Sequence, residues 1–131
     1  MMTNWMELIV NPQPMKSIYG NCVPSLNNVE VHSLVFHRDG PTLSIKLNLN
    51  EYPLRPPKKW EVQKFNTVQI TLSFSDLKSV NMSGWIYTGY LMSLVVYKEN
   101  GLILLNAKEK DFELKLEAKF MDVDSISAYL K

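Results

Sequence analysis

Residues 66–74, Asn66-Thr-Val-Gln-Ile-Thr-Leu-Ser-Phe74, put Val68, Ile70, Leu72 and Phe74 on every second position, with Thr67, Gln69, Thr71 and Ser73 between them. Successive strand side chains point to opposite faces, so this spacing sets four large apolar groups on a core and a polar row in water. A strand with that much apolar surface on one face is central in an antiparallel sheet, and its flanking segments read as partners.

Upstream, Val29–His37 reads as a strand with Val29, Val31, Ser33 and Val35 on one face and Glu30, His32, Leu34 and Phe36 on the other. Asp39-Gly40 signals a tight turn, and residues 42–50 return with Leu43, Ile45, Leu47 and Leu49 inward. Residues 51–64 contain Pro53, Pro56 and Pro57. Proline has no amide hydrogen to give a ladder, so this segment reads as an extended surface crossing that re-enters the core at Trp60.

Downstream, residues 75–79 read as a turn, 80–85 as a short strand and 86–90 as a loop or bulge. Residues 91–98 and 102–107 are apolar strands joined by Glu99-Asn100-Gly101, and Asn-Gly is the preferred type I′ pair. Their unbroken apolar runs imply cover on both faces. Phe112, Leu114, Leu116, Ala118 and Phe120 then alternate with charges, and residues 122–131 close as a further strand or a helical turn.

At the N-terminus Asn4 and Glu7 have capping-box spacing, with Trp5, Leu8 and Ile9 on one side. Pro12 and Pro14 end that helix, and a second helical piece covers residues 15–19 before Gly20. Both are too short to stand alone in water, so they dock on the sheet with Trp5 as a core anchor. The expected fold is mainly β (α+β at most). It is an antiparallel meander of about eight strands forming a curved sandwich or half-closed barrel, with a short N-terminal helix on it, since a flat open sheet would expose its edges.

The 131 residues fit a single domain, 1–131, and a 46% hydrophobic fraction is that of a globular chain. Fourteen basic against 13 acidic residues give a weak overall field, which argues against a dedicated nucleic-acid partner and leaves only a local basic patch. Cys22 is the only cysteine, which excludes an intrachain disulfide and a cysteine-rich zinc site; it reads as a small core residue. The first ten residues have no basic leader pattern, and no segment has the run of about 20 apolar residues that spans a bilayer. A cytoplasmic location without a membrane partner is expected.

Reactive constellations are sparse. There is no Gly-rich phosphate loop, no His-Glu-x-x-His and no Gly-x-Ser-x-Gly. His32 and His37 lie an odd number apart, so on a regular strand they face opposite ways and share no metal without a bulge. Asp39 beside His37 reads as a turn former rather than a catalytic partner. Asp122 and Asp124 suit either a hard cation or the blunting of a sheet edge, the second being the simpler role. No catalytic residue, metal or cofactor is expected, and the chain reads as a non-enzyme.

The most unusual local chemistry is Arg55-Pro-Pro-Lys-Lys-Trp60. Cations beside an indole suit phosphate and base stacking, which gives an alternative reading as a small nucleic-acid-binding β module. The same residues also describe a semi-rigid crossing kept soluble by lysines, or a preorganised loop for a protein partner. Arg55, Lys58, Lys59 and Trp60, with Tyr87 and Tyr90, are the candidate partner-binding residues.

Taken in order, Val23-Pro-Ser-Leu26, His37-Arg-Asp-Gly-Pro41, the Pro53 to Trp60 connector, Asn66 leading into Val-x-Ile-x-Leu-x-Phe74, Gly84-Trp85 and Ser125-Ile-Ser-Ala-Tyr129 resemble the immunity protein 50 family of bacterial polymorphic toxin systems. The resemblance covers nearly the whole chain. It implies a small cytoplasmic protein that binds a cognate toxin domain and neutralises it without catalysis. It implies no family-wide set of contact residues.

Overall fold

The alternating stretch is the first half of a much longer strand. In the computed structural model, which describes residues 4–86 and 90–131, the strands are β1 (Val29–His37), β2 (Thr42–Asn48), β3 (Thr67–Ser83), β4 (Tyr90–Met92), β5 (Leu94–Glu99), β6 (Leu102–Glu109) and β7 (Phe112–Tyr129). They form one seven-stranded antiparallel sheet in the order β4-β1-β2-β3-β7-β6-β5. Only Ser93 separates β4 from β5, so the two edge strands of the sheet are successive pieces of chain. That short link draws the edges together and curls the sheet into a half-barrel.

The core is the concave face. Val68, Ile70, Leu72 and Phe74 are all buried, and the last three pair with Leu47, Ile45 and Leu43 of β2. Leu105, Ala107, Leu114, Leu116 and Ala118 continue the face through β6 and β7. The N-terminal segment adds Trp5, Met6, Ile9 and Met15. It comprises a 3-10 helix (Trp5–Leu8) and α1 (Gln13–Tyr19). Asn4 Oδ1 accepts from the Glu7 amide at 3.2 Å, and the Trp5 indole donates to the Pro24 carbonyl at 2.7 Å. Ile9 then pairs in parallel with Met121, and the Val10 amide donates to the Met121 carbonyl at 2.9 Å. The register of β6 on β7 ends at Ala118, so this contact satisfies the length of β7 edge that β6 leaves open.

Several local expectations are corrected by the pairing. Residues 75–79 do not reverse the chain. Asp76 takes a positive φ of 54° and the register shifts between Leu77 and Ser79, so turn-forming residues bend a continuous strand. β7 runs on alongside and pairs with Ser75, Leu77 and Ser79, while the Asp76 and Leu77 amides donate to the Gly40 and Pro41 carbonyls at 2.7 and 3.1 Å. A reversal there would forfeit this ladder, and a bulge keeps it. Residues 80–83 are therefore the second half of β3. Residues 122–129 are likewise the end of β7, neither an additional strand nor a helical turn, with a shift past Asp124 absorbing the change of phase. Phe120 is half-exposed, because the buried series ends at Ala118 and resumes at Met121.

Residues 91–98 divide into β4 and β5 as the chain changes partner from β1 to β6. Their faces are not both covered: Val95 and Tyr97 are exposed. In β1 a register shift between Val31 and Ser33 carries Leu34 and Phe36 onto the face of Ile45 and Leu43, so Val35 points to solvent instead. The Asn100-Gly101 turn has positive φ at both residues, 53° and 80°, as the type I′ geometry requires.

Candidate partner-binding surface

The connection from β2 to β3 is the most constrained long loop of the chain. It leaves with the Leu49 amide bonded to the Val68 carbonyl at 2.9 Å, and Pro53 is buried. The segment expected to be extended is helical from Lys58: α2 (Lys58–Val62) begins after Pro57. Proline presets its own φ and loses nothing by lacking an amide at a helix start. The helix ends with Lys64 at a φ of 57°, where the Lys64 amide donates to the Glu61 carbonyl and the Phe65 amide to the Trp60 carbonyl at 3.0 and 3.1 Å. This paired closure is the Schellman motif, here without glycine at its left-handed position.

Five residues are too few for a free helix, so tertiary contacts hold it. Trp60 is half-buried against the core, with its ring 6.3 Å from that of Tyr52. The Tyr52 hydroxyl is buried and has no hydrogen-bond partner among the described residues. On the other side, the Tyr19 hydroxyl at the end of α1 donates to the Glu51 carbonyl at 2.8 Å. Burial pushes the Tyr19 phenol far above its ordinary range, with the Glu51 charge adding to the shift, so it remains a neutral donor. The Glu51 carboxylate accepts from the Ser25 amide at 2.8 Å. A groove of about 430 Å³ lies between Ser17–Cys22 and the side chains of Leu54 and Arg55. Cys22 is exposed at this groove and is not the core residue its isolation suggested.

Arg55, Lys58 and Lys59 are brought together on this loop and exposed. Neither they nor Lys64 form an ion pair among the described residues. Trp60 is a support beneath them more than a free platform. Tyr90 is elsewhere: it is 3% exposed, stacked on Trp85 at 4.1 Å between ring centroids, with Phe112 edge-on at 5.3 Å. It is a core residue rather than a surface anchor. Tyr87 lies outside the described residues. Sequence reasoning missed Leu54 and Val62, which at 83% and 71% are the most exposed large apolar side chains described. Their signal is an apolar residue at each end of a proline- and lysine-rich run that has no alternating partner.

A second polar cluster crosses the convex face. Asn48 is buried and donates to Glu30 at 2.9 Å and to the Tyr129 hydroxyl, and it accepts from Gln69 at 3.0 Å. The Lys131 ammonium donates to Glu30 at 2.8 Å and holds that carboxyl below its usual range. His32 stands 3.5 Å from Glu30. The β1 bulge brings His32 and His37 to the same face, yet among the described residues no three His, Cys, Asp or Glu side chains group as metal ligands. Asp122 accepts from the Asn11 and Val123 amides, and Asp124 from the Ser73 hydroxyl at 2.9 Å. Both carboxylates thus hold strands and the N-terminal segment in place. Among the described residues no helix is long and apolar enough to cross a membrane.

The family profile of immunity protein 50 matches residues 11–129 of the 131. The chain belongs to the immunity protein 50 family. The match runs from the residue before Pro12 through α1, both bent strands and the whole of the sheet, so the family's shared part includes the β2–β3 connection. Comparison with curated proteins and with solved structures gives no significant match. For this family member, the placement of the surface therefore rests on its own geometry.

Proposed function

We propose that this member of the immunity protein 50 family binds the cognate toxin domain of a bacterial polymorphic toxin system and neutralises it by occlusion, in the cytoplasm and without catalysis. The observation that carries the reading is the family match over residues 11–129. The chemistry of the described residues is consistent with it, because the polar clusters satisfy one another. Glu30 is bonded to Lys131 and Asn48, and Asp122 and Asp124 are bonded to amides and a hydroxyl. The nucleic-acid alternative needs an open aromatic platform beside the cations, and Trp60 gives part of its surface to the core and to Tyr52.

Tight neutralisation calls for an interface of roughly 800 Å² per partner with a few strong anchors. The test is co-expression with the toxin domain encoded beside this gene. Survival of cells that otherwise die is the expected result. Equal killing with and without this protein refutes neutralisation.

A further inference from the structure

The rim of the β2–β3 connection combines three properties that occur together nowhere else on the described surface. It is rigid, being fixed by Pro53, Pro56 and Pro57, by the Schellman closure at Lys64 and by Trp60 below. Residues 52–64 carry Arg55, Lys58, Lys59 and Lys64 against the single carboxylate of Glu61, on a chain whose net charge is only +1. It also exposes two large apolar groups, and Lys58 and Val62, four apart, lie on one side of α2. A preorganised segment loses little entropy on docking, and exposed apolar side chains interspersed with like charges along it suit a protein interface. Another exposed apolar side chain, Val95 on β5, is bordered by Lys108, Glu113 and Lys115, a mixture that favours no sign of partner charge.

We infer that Leu54, Arg55, Lys58, Lys59 and Val62, continued by the groove beside Asn21, form the docking face for the toxin, and that the toxin meets it with a carboxylate-rich protein surface. This rests on the toxin-neutralising reading and adds to it the face and the chemistry of the partner. Charge complementarity sets the sign, since unpaired cations on the free protein are matched by carboxylates and opposed by any basic surface. A footprint of about 800 Å² is larger than a five-residue helix presents, so the contact extends over the α1 groove. Leu54 and Val62 hold the complex once formed, while the cations govern how fast it forms.

The experiment uses the full chain and the toxin domain encoded beside its gene. Binding kinetics are measured between about 0.05 and 0.5 M salt, a range over which the screening length shortens severalfold. The triple variant Arg55→Glu, Lys58→Glu, Lys59→Glu is compared with Leu54→Ser plus Val62→Ser, each checked for folding by circular dichroism. The docking face predicts that the charge variant associates at least about 100-fold more slowly at low salt and that its salt dependence reverses, association now speeding up as salt screens the like charges. The apolar variant is expected to dissociate faster with its salt dependence unchanged. Carbodiimide treatment of the complex is expected to join Lys58 or Lys59 to toxin carboxylates, identified by mass spectrometry.

If the wild-type protein protects cells and the triple variant protects equally, with unchanged kinetics, the docking face is wrong and neutralisation stands. If the wild-type protein neither binds the toxin nor protects, the neutralisation reading falls and this inference with it. A fluorescent 20-mer of dT or rU serves as a third probe. Its tight binding by the wild-type protein, lost in the triple variant while toxin binding is unaffected, assigns the rim to nucleic acid and overturns the inference.

Discussion

Alanine at Gly84 sets its Cβ 1.9 Å from the Asp111 carbonyl oxygen, 2.7 Å from the carbonyl carbon and 3.1 Å from the Phe112 Cα. All three neighbours are backbone, so no side chain can swing aside to make room. Asp111 lies in the tight connection between β6 and β7, whose ends pair Glu109 with Phe112. Phe112 is 1% exposed and carries the rings of Trp85 and Tyr90. Moving this backbone by about an ångström disturbs a β-turn and an aromatic cluster together, an overpacking cost of about 1–3 kcal/mol. Gly84 also has a φ of 91°, where an L side chain costs a further 1–2 kcal/mol or so. The expected loss for Gly84→Ala is thus about 2–5 kcal/mol, a large part of the roughly 5–15 kcal/mol typical of a domain. Gly101 separates the two contributions, because its φ is 80° but an added Cβ meets nothing within 4 Å. Gly101→Ala should lose only the backbone part, about 1–2 kcal/mol. Urea unfolding followed by circular dichroism reads both differences from the midpoint at constant slope. Equal losses for the two variants would refute the close-approach argument, since only Gly84 has backbone in its way.

Three further outcomes follow from local geometry. Tyr52→Phe removes a buried hydroxyl that has no partner among the described residues, so unfolding should show unchanged stability or a gain of up to about 1 kcal/mol. Lys64→Gly relieves a left-handed backbone at the end of α2, and the same assay should show a gain of about 0.5–1 kcal/mol, less what glycine loses in chain entropy. Glu30 has its carboxyl held low by the Lys131 hydrogen bond, so its contribution is full above the unfolded glutamate value of about 4.3 and fades as pH falls through the lower folded value. Glu30→Gln should flatten the acid limb of a stability–pH profile there, by less than about 1 kcal/mol because the pair is solvent-exposed. An unchanged acid limb in that variant would refute the coupling.

Alternation was enough to name the fold class, because a period of two has one physical solution, a strand with a wet face and a dry one. The row from Val68 to Phe74, the return through Leu43, Ile45 and Leu47, and the Asn100-Gly101 turn were all legible without coordinates. Each depends only on neighbours in the chain. Capping by Asn4 and closure of α1 by Gly20 were legible for the same reason. The family was legible too, from the order of motifs that are individually weak.

What needed the folded molecule was every feature decided by a distant partner. Asp76 and Lys78 look like a turn, and they bend a strand instead because β7 runs beside them. His32 is the extra residue of a bulge, which changes the faces of Leu34 and Val35. Tyr90 looks like a loop anchor and is buried under Trp85, while Cys22 looks like a small core residue and is exposed. Period and turn chemistry are local and can be read in one dimension. The face a side chain finally occupies depends on register between strands as far apart in the chain as Val29 is from Met92 or Thr67 from Tyr129, and that exists only once the sheet has closed.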